Sequence, residues 1–260
     1  MKKIIGALLA IIVTFSAQGQ KKFGSIYVTW GYHRDVYSRS NIHFKDHKTD
    51  DYDFTLERAK AKDRLDMKDF FHTPPTVPQY VFNFGYFFAN KPSWGIEVSW
   101  DHLKYIVTDY QTMHMKGTFR GKYYDLDTLI TPQFVQFEHT NGNNYLMVSA
   151  VRKFSLLKGG IFKHHLNVLV KAGAGGLIPK TDSSIMGNRN DGPFRLSGFV
   201  IGASTSLRYD LFHYFYLEGS VKGAFADYTS AKVFEQGRAK HTFFSAQFIW
   251  AAGINIPLSK

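Results

Sequence analysis

Residues 215–225 read FYLEGSVKGAF, with Phe215, Leu217, Val221 and Phe225 on one parity and Tyr216, Glu218, Ser220 and Lys222 on the other. Successive side chains of a strand point to opposite sides, so this alternation predicts a strand with one apolar face and one charged face. Which face meets solvent depends on the company the strand keeps.

Seven further runs of the same kind surround it. They cover residues 24–38, 78–89, 93–108, 142–154, 163–177, 194–209 and 242–258, and with 214–229 they make eight. In the sixth, Phe199, Ile201, Ala203, Thr205 and Leu207 oppose Gly198, Gly202, Ser204, Ser206 and Arg208. The first sets Ile26, Val28, Trp30 and Tyr32 against Tyr27, Thr29, Gly31, His33 and Asp35. The third changes parity: Trp94, Ile96, Val98 and Trp100 are followed by Leu103, Tyr105 and Val107, and a bulge near Asp101–His102 would exchange the faces. The fourth, NNYLMVSAVRKF, fits either parity.

The links between runs alternate in length. Short ones (90–92, 155–162, 210–213) follow the second, fourth and sixth runs, and long polar ones (39–77, 109–141, 178–193, 230–241) follow the others. Short turns at one end and long loops at the other are the layout of a transmembrane β-barrel, with lipid outside and a polar lumen. The expected fold is therefore all-β: a single antiparallel barrel of eight strands, or ten if part of a long loop pairs. Aromatic residues near the short links (Trp94, Phe154, Phe162, Tyr209, Phe212, Tyr214, Phe215) suit an interfacial girdle.

Composition agrees. Of 260 residues, 44% are hydrophobic and 17% aromatic, with no cysteine, which excludes disulfides and thiolate metal sites. The stretch MKKIIGALLAIIVTFSAQG has two lysines, an apolar run too short to span a bilayer, and small residues at Ala17 and Gly19; it reads as a secretory signal over residues 1–19, with the barrel over 20–260. Without Lys2 and Lys3, 30 basic residues face 21 acidic ones, a formal +9. For an exported chain with no recognition motif this excess suits anionic lipid headgroups and lipopolysaccharide phosphates, not nucleic acid.

On the signal, the eight runs and the closing strand HTFFSAQFIWAAGINIPL, the chain resembles the small outer-membrane β-barrels of Gram-negative bacteria, most of all the Tyr- and Phe-rich barrels of the Bacteroidetes. The resemblance implies a monomer in the cell outer membrane, with both termini periplasmic and the barrel-assembly machinery as a partner. It departs from the family at its end, Pro257-Leu258-Ser259-Lys260, where many such barrels finish on an aromatic residue.

An eight-stranded barrel is just filled by its side chains. Glu97, Asp101, Lys171, Arg208, Glu218 and Lys222 would then form a lumen network, since buried charge is tolerated when paired and both signs stand in adjacent strands. That favours a structural or surface-binding role for the long loops over a narrow channel.

A third reading is a lipid-modifying hydrolase. His139, with Glu138 and Thr140, lies in FEHTNGNNY and faintly resembles the His-centred site of outer-membrane lipid A deacylases, with Thr140 where a serine would be wanted. Asn141-Gly142 in the same stretch is equally a turn dipeptide leading from loop into strand.

No metal or other cofactor is expected. Asp46, Asp50, Asp51 and Asp53 lack the spacing and glycine of a calcium loop, and residues 39–77 hold eight basic and eight acidic residues, which favours salt bridges. The stretch DYDFTLERAKAK within it predicts either a strand above the membrane or a short helix. His164 and His165, adjacent on a strand, point opposite ways and cannot share one ion.

Overall fold

The computed structural model describes residues 23–64, 79–158, 164–211 and 214–258; the expected signal, Phe162 and Phe212 lie outside them. It contains fifteen strands: β1 Ser25–Tyr37, β2 Ser40–Asp46, β3 Tyr52–Ala59, β4 Ala61–Lys62, β5 Tyr80–Phe88, β6 Lys91–Val107, β7 Thr112–Phe119, β8 Lys122–Leu129, β9 Val135–Lys158, β10 His165–Pro179, β11 Asp182–Ile185, β12 Asn188–Asp191, β13 Gly198–Leu211, β14 Phe215–Lys232 and β15 Arg238–Pro257.

Eight of them close a ring in the order β1-β5-β6-β9-β10-β13-β14-β15, every pair antiparallel. The ring shuts where β1 meets β15, from Ser25 opposite Pro257 to Tyr37 opposite Ser245. Closure leaves this part of the sheet without an edge, so its backbone polar groups pair within the wall. The barrel has eight strands, not ten, because strands in the long loops add above the ring instead of entering it.

Those additions form a cap. β2 continues the line of β1 along the upper part of β15, with His241 opposite Ile42, and β3, β7 and β8 extend the sheet from it. The stretch 52–62 is accordingly strand, as β3 and β4, and not helix. The β11–β12 hairpin pairs with the start of β9, and β4 with the end of β6. The long links after the first, third and fifth runs are thus, among their described residues, largely folded β-structure.

Around the ring the outward face is apolar. Phe82, Phe84, Ile96, Val98, Val148, Phe199, Ile201, Leu207, Leu217, Val221, Phe248 and Trp250 are all exposed. Near the short links Trp94, Phe154, Tyr209, Tyr214 and Phe215 complete the band, and Arg152 lies 4.8 Å over the Trp94 ring. At the opposite rim Phe244 is 64% exposed and packs against Phe225 at 5.1 Å with the two rings tilted. This band is buried only if something apolar surrounds it.

Above the rim the polarity inverts. A single buried cluster joins Ile42, Phe44, Phe54, Leu56, Leu103, Tyr105, Met115, Phe137, Tyr228 and Phe243, all pointing inward, while charged side chains face out. The parity change in β6 has this origin. Odd-numbered residues from Gly95 to Val107 all point inward, without the expected exchange of faces at Asp101–His102, and only their surroundings change from polar lumen to apolar cap.

The irregularity lies one step higher and on the partner strand. Leu103 pairs with Asn143 and Tyr105 with His139, so between them one residue of β6, Lys104, faces three of β9. Thr140–Gly142 bulge out, with Gly142 at a φ of +143° that other residues avoid and its carbonyl accepting from the N–H of Lys180 at 2.8 Å. Asn141-Gly142 is therefore a bulge inside one long strand, not a loop-to-strand turn, and β9 begins at Val135, seven residues before the expected start. In its lower part the ambiguous parity settles with Tyr145, Met147, Ser149 and Val151 inward.

Candidate functional site

Two inward-facing groups stand out: the charges in the lumen and the histidines beneath the cap. Within the ring, Glu97, Asp101, Lys171, Arg208, Glu218 and Lys222 are all buried on the inner face. Lys171 Nζ donates to Glu97 Oε2 at 2.7 Å and to Glu218 Oε1 at 3.2 Å. Arg208 Nε donates to Glu218 Oε2 at 2.7 Å, and Lys222 pairs with Asp101. Three acids meet three bases, so the lumen carries no net charge from these six.

The partners are not those that adjacency suggests. Glu97, Lys171 and Glu218 sit on β6, β10 and β14, alternate strands of the ring, and Asp101 on β6 reaches Lys222 on β14, four strands away and so across the full diameter. Only Arg208 and Glu218 come from neighbours, as a directly opposed pair. In a narrow barrel, side chains from alternate strands stack into layers, and that geometry joins residues far apart in the sheet.

Two tyrosines complete the network. Tyr27 donates to Glu97 Oε2 at 2.8 Å, and the Arg208 guanidinium lies 4.5 Å from the Tyr27 ring and 3.9 Å from that of Tyr216. Both rings lie flat on glycines: a Cβ at Gly85 would meet the Tyr27 ring at 2.0 Å, and one at Gly253 that of Tyr216 at 2.3 Å. These tyrosines were visible only as inward-parity residues of their runs.

Beside these ion pairs lies a cavity of about 20 Å³ bordered by Asn83, Ser99, Asp101, Ser204 and Lys222, room for about one water. Buried polar atoms without a protein partner point into this region, among them Asp101 Oδ1, Asn83 Oδ1 and Ser99 Oγ. At the level of the ion pairs the described side chains fill the lumen.

Above it, His139 and His241 are completely enclosed, their Nε2 atoms 3.2 Å apart. Thr181 Oγ1 lies 3.1 Å from His139 Nδ1, and the Tyr228 ring stacks on both imidazoles at 4.7 and 4.6 Å. A hydroxyl donating to Nδ1 leaves the His139 proton on Nε2, directed at His241. Burial pushes the His139 pKa down to about 3, and burial with the neighbouring His139 pushes His241 well down too. Both rings are neutral.

Glu138 and Thr140 face away from this pair. Thr140 Oγ1 donates to Glu138 Oε1 at 2.9 Å, and burial holds the Glu138 carboxyl above its usual value. The hydroxyl, imidazole and carboxylate adjacent in sequence are therefore split between two faces of one strand, and His139 takes Thr181 and His241 as partners instead. His241 stands one residue before the expected start of its run, and Thr181 lies in a long link, so periodicity gave neither away.

The remaining candidates disperse. Asp46 accepts from the N–H groups of Lys48 and Thr49, Arg120 pairs with Asp50, and Asp53 binds Lys45 and His43. His114 lies between Asp125 and Asp127 on the exposed β7–β8 hairpin, and His164 stacks on Tyr209. Among the described residues no group of three or more His, Asp or Glu side chains is placed to hold a metal ion.

No protein-family model and no curated protein matches the chain. Among solved structures it is similar to Ail, the attachment invasion locus protein of Yersinia pestis, at 13% identity and a TM-score of 0.36, covering 90% of this chain and 99% of that one. It is also similar to the outer membrane protein OprG of Pseudomonas aeruginosa, at 12% identity and a TM-score of 0.36 over 93% of this chain and 99% of that one. A third is the outer membrane protein AlkL, at 10% identity and a TM-score of 0.36 over 94% and 96%. The closed register of the eight strands, and not these loose superpositions, defines the fold.

Proposed function

We propose that this chain is an integral outer-membrane β-barrel protein whose working part is the folded cap, in a structural or surface-binding role, and that its barrel is an anchor and not a conduit. The observation that carries the reading is the pairing of an exposed apolar band with a lumen closed by neutralised charges. A soluble protein would hide the first, and a porin would keep the second open. The apolar core of the cap roofs the lumen as well, so a solute would have to displace both.

Fractionation and conductance test this together. The protein should be recovered with outer membranes, shift its gel migration on heating, and leave a planar bilayer silent. Recovery in the soluble fraction would overturn the membrane reading; steady single-channel steps from the heat-modifiable form would overturn the closed lumen. Lipid A acylation should be the same with and without the protein, and a changed pattern would turn attention back to the His139 region.

A further inference from the structure

We propose that the groove between the β2–β3 turn and the β14–β15 turn binds the phosphorylated headgroup of an outer-leaflet glycolipid; this rests on the outer-membrane reading above. The groove encloses about 390 Å³ and is bordered by Lys45, His47, Lys48, Gln236, Arg238 and Lys240. The one carboxylate on its border, Asp46, is buried and holds the turn through the N–H groups of Lys48 and Thr49 at 2.9 and 3.1 Å.

Register makes the groove an anion site. Lys240 pairs directly with His43, and Arg238 with Lys45, so basic side chains stand opposite one another twice in succession. Arg238 and Lys45 are like charges directly opposite, which destabilises a sheet face, and a bound anion removes that cost. Their neighbours only partly do so. Asp53 is shared among Lys45 at 2.9 Å, His43 at 2.6 Å and His47 at 3.4 Å. Arg238 Nη1 donates to the backbone carbonyl of Gly237 at 2.7 Å, and Lys240 and Lys48 extend from the surface.

Height identifies the source of the anion. Lys240 shares the outward face of β15 with Phe244, at the rim of the apolar band. Four residues of strand are about 13 Å, and at a tilt of about 40° this puts Lys240 about 10 Å above that ring. Headgroups begin just outside the hydrocarbon, so the lower end of the groove stands at their depth, with Arg238, Lys45 and Lys48 rising from it. Phosphates on a membrane glycolipid would be presented at this height, alongside the wall.

The test uses the full chain refolded in detergent, with lipopolysaccharide, enzymatically dephosphorylated lipopolysaccharide and inorganic phosphate as probes. Intact lipopolysaccharide should bind, and Lys45→Gln/Arg238→Gln/Lys240→Gln should weaken it about tenfold or more while keeping heat-modifiable migration. If that triple variant does not fold, Lys240→Gln alone should weaken binding severalfold. Dephosphorylation should give a similar loss, millimolar inorganic phosphate should not compete, and Lys91→Gln, at the short-turn end, should bind as wild type. Equal binding by the folded variant or by the dephosphorylated lipid overturns the site, and full competition by inorganic phosphate overturns the headgroup as its source. A chain that is soluble and shows no heat shift fails the membrane reading instead.

Discussion

The same strands obey opposite rules below and above the rim at Phe244. In β14 the lower half keeps Leu217 and Val221 outside and Glu218 and Lys222 inside; the upper half keeps Asp227 and Thr229 outside and Ala226, Tyr228 and Ala231 inside. β6 makes the same change between Asp101 and Leu103 without altering its pleat. Strand geometry fixes that faces alternate, and the surroundings fix which face is apolar. In the band the apolar surroundings lie outside, and in the cap the strands must make their own.

The largest effects should come from breaking each region by its own rule. Lys222→Met leaves Asp101 buried and unpaired and should lower stability by about 3–5 kcal/mol, while Lys222→Met with Asp101→Leu should recover most of it. In the cap, Phe137→Ala, which removes a ring packed edge-on to Phe44 at 5.4 Å, should cost about 3–5 kcal/mol by opening a cavity. Urea unfolding followed by heat-modifiable migration measures the first, and amide exchange of cap strands the second. A lumen that tolerates the single Lys222→Met change would show that water, not Lys222, compensates Asp101.

A smaller effect sharpens the contrast on one side of the wall. Val221→Arg, on the outward face of the band, should cost about 2–4 kcal/mol in bilayers, whereas Thr55→Arg, on the outward face of β3, should stay within about 0.5 kcal/mol. Equal costs would mean that the band is not in lipid.

Acid should separate the regions next. The folded pKa of His139 is depressed to about 3, so between there and the ordinary value near 6.5 the unfolded chain binds the extra proton. The stabilisation is complete above that ordinary value and is lost as pH falls toward 3, at about 1.4 kcal/mol per pH unit for each such histidine. His241 acts in the same sense, and Glu138, held above its usual value, opposes them. Amide protection in the cap, read from pH 7 to 4, should therefore fall; a flat profile would show that the pair takes up protons without opening. The smallest effect belongs to the exposed Arg189–Asp182 bridge at 2.9 Å, where Arg189→Ala should change stability by less than about 1 kcal/mol.

The legible parts of the molecule were those written in nearest-neighbour alternation. Phe199 to Leu207 and Trp30 to Tyr32 declare their faces unaided, because a two-residue period needs no knowledge of a partner. The bulge at Thr140–Gly142 was illegible, since an extra residue shows only against the strand beside it. The cap was hidden for a related reason: β2, β3 and β7 are polar outside and apolar inside like any soluble sheet, and long polar links disguise such strands as loops. The histidine pair spans 102 residues and exists only once β9 and β15 are brought to the same level.

Alone, the sequence determined that eight strands alternate, that their short and long links fall at opposite ends, and that polar and apolar residues share every strand. These are local properties, fixed by side-chain period and turn composition. Tertiary structure decided who meets whom: Asp101 with Lys222 across the barrel's diameter, Glu97 with Lys171 over an intervening strand, His139 with His241, Lys240 beside His43. Such pairings depend on closure and stagger, which set the level at which distant strands face one another, and no single strand carries that information.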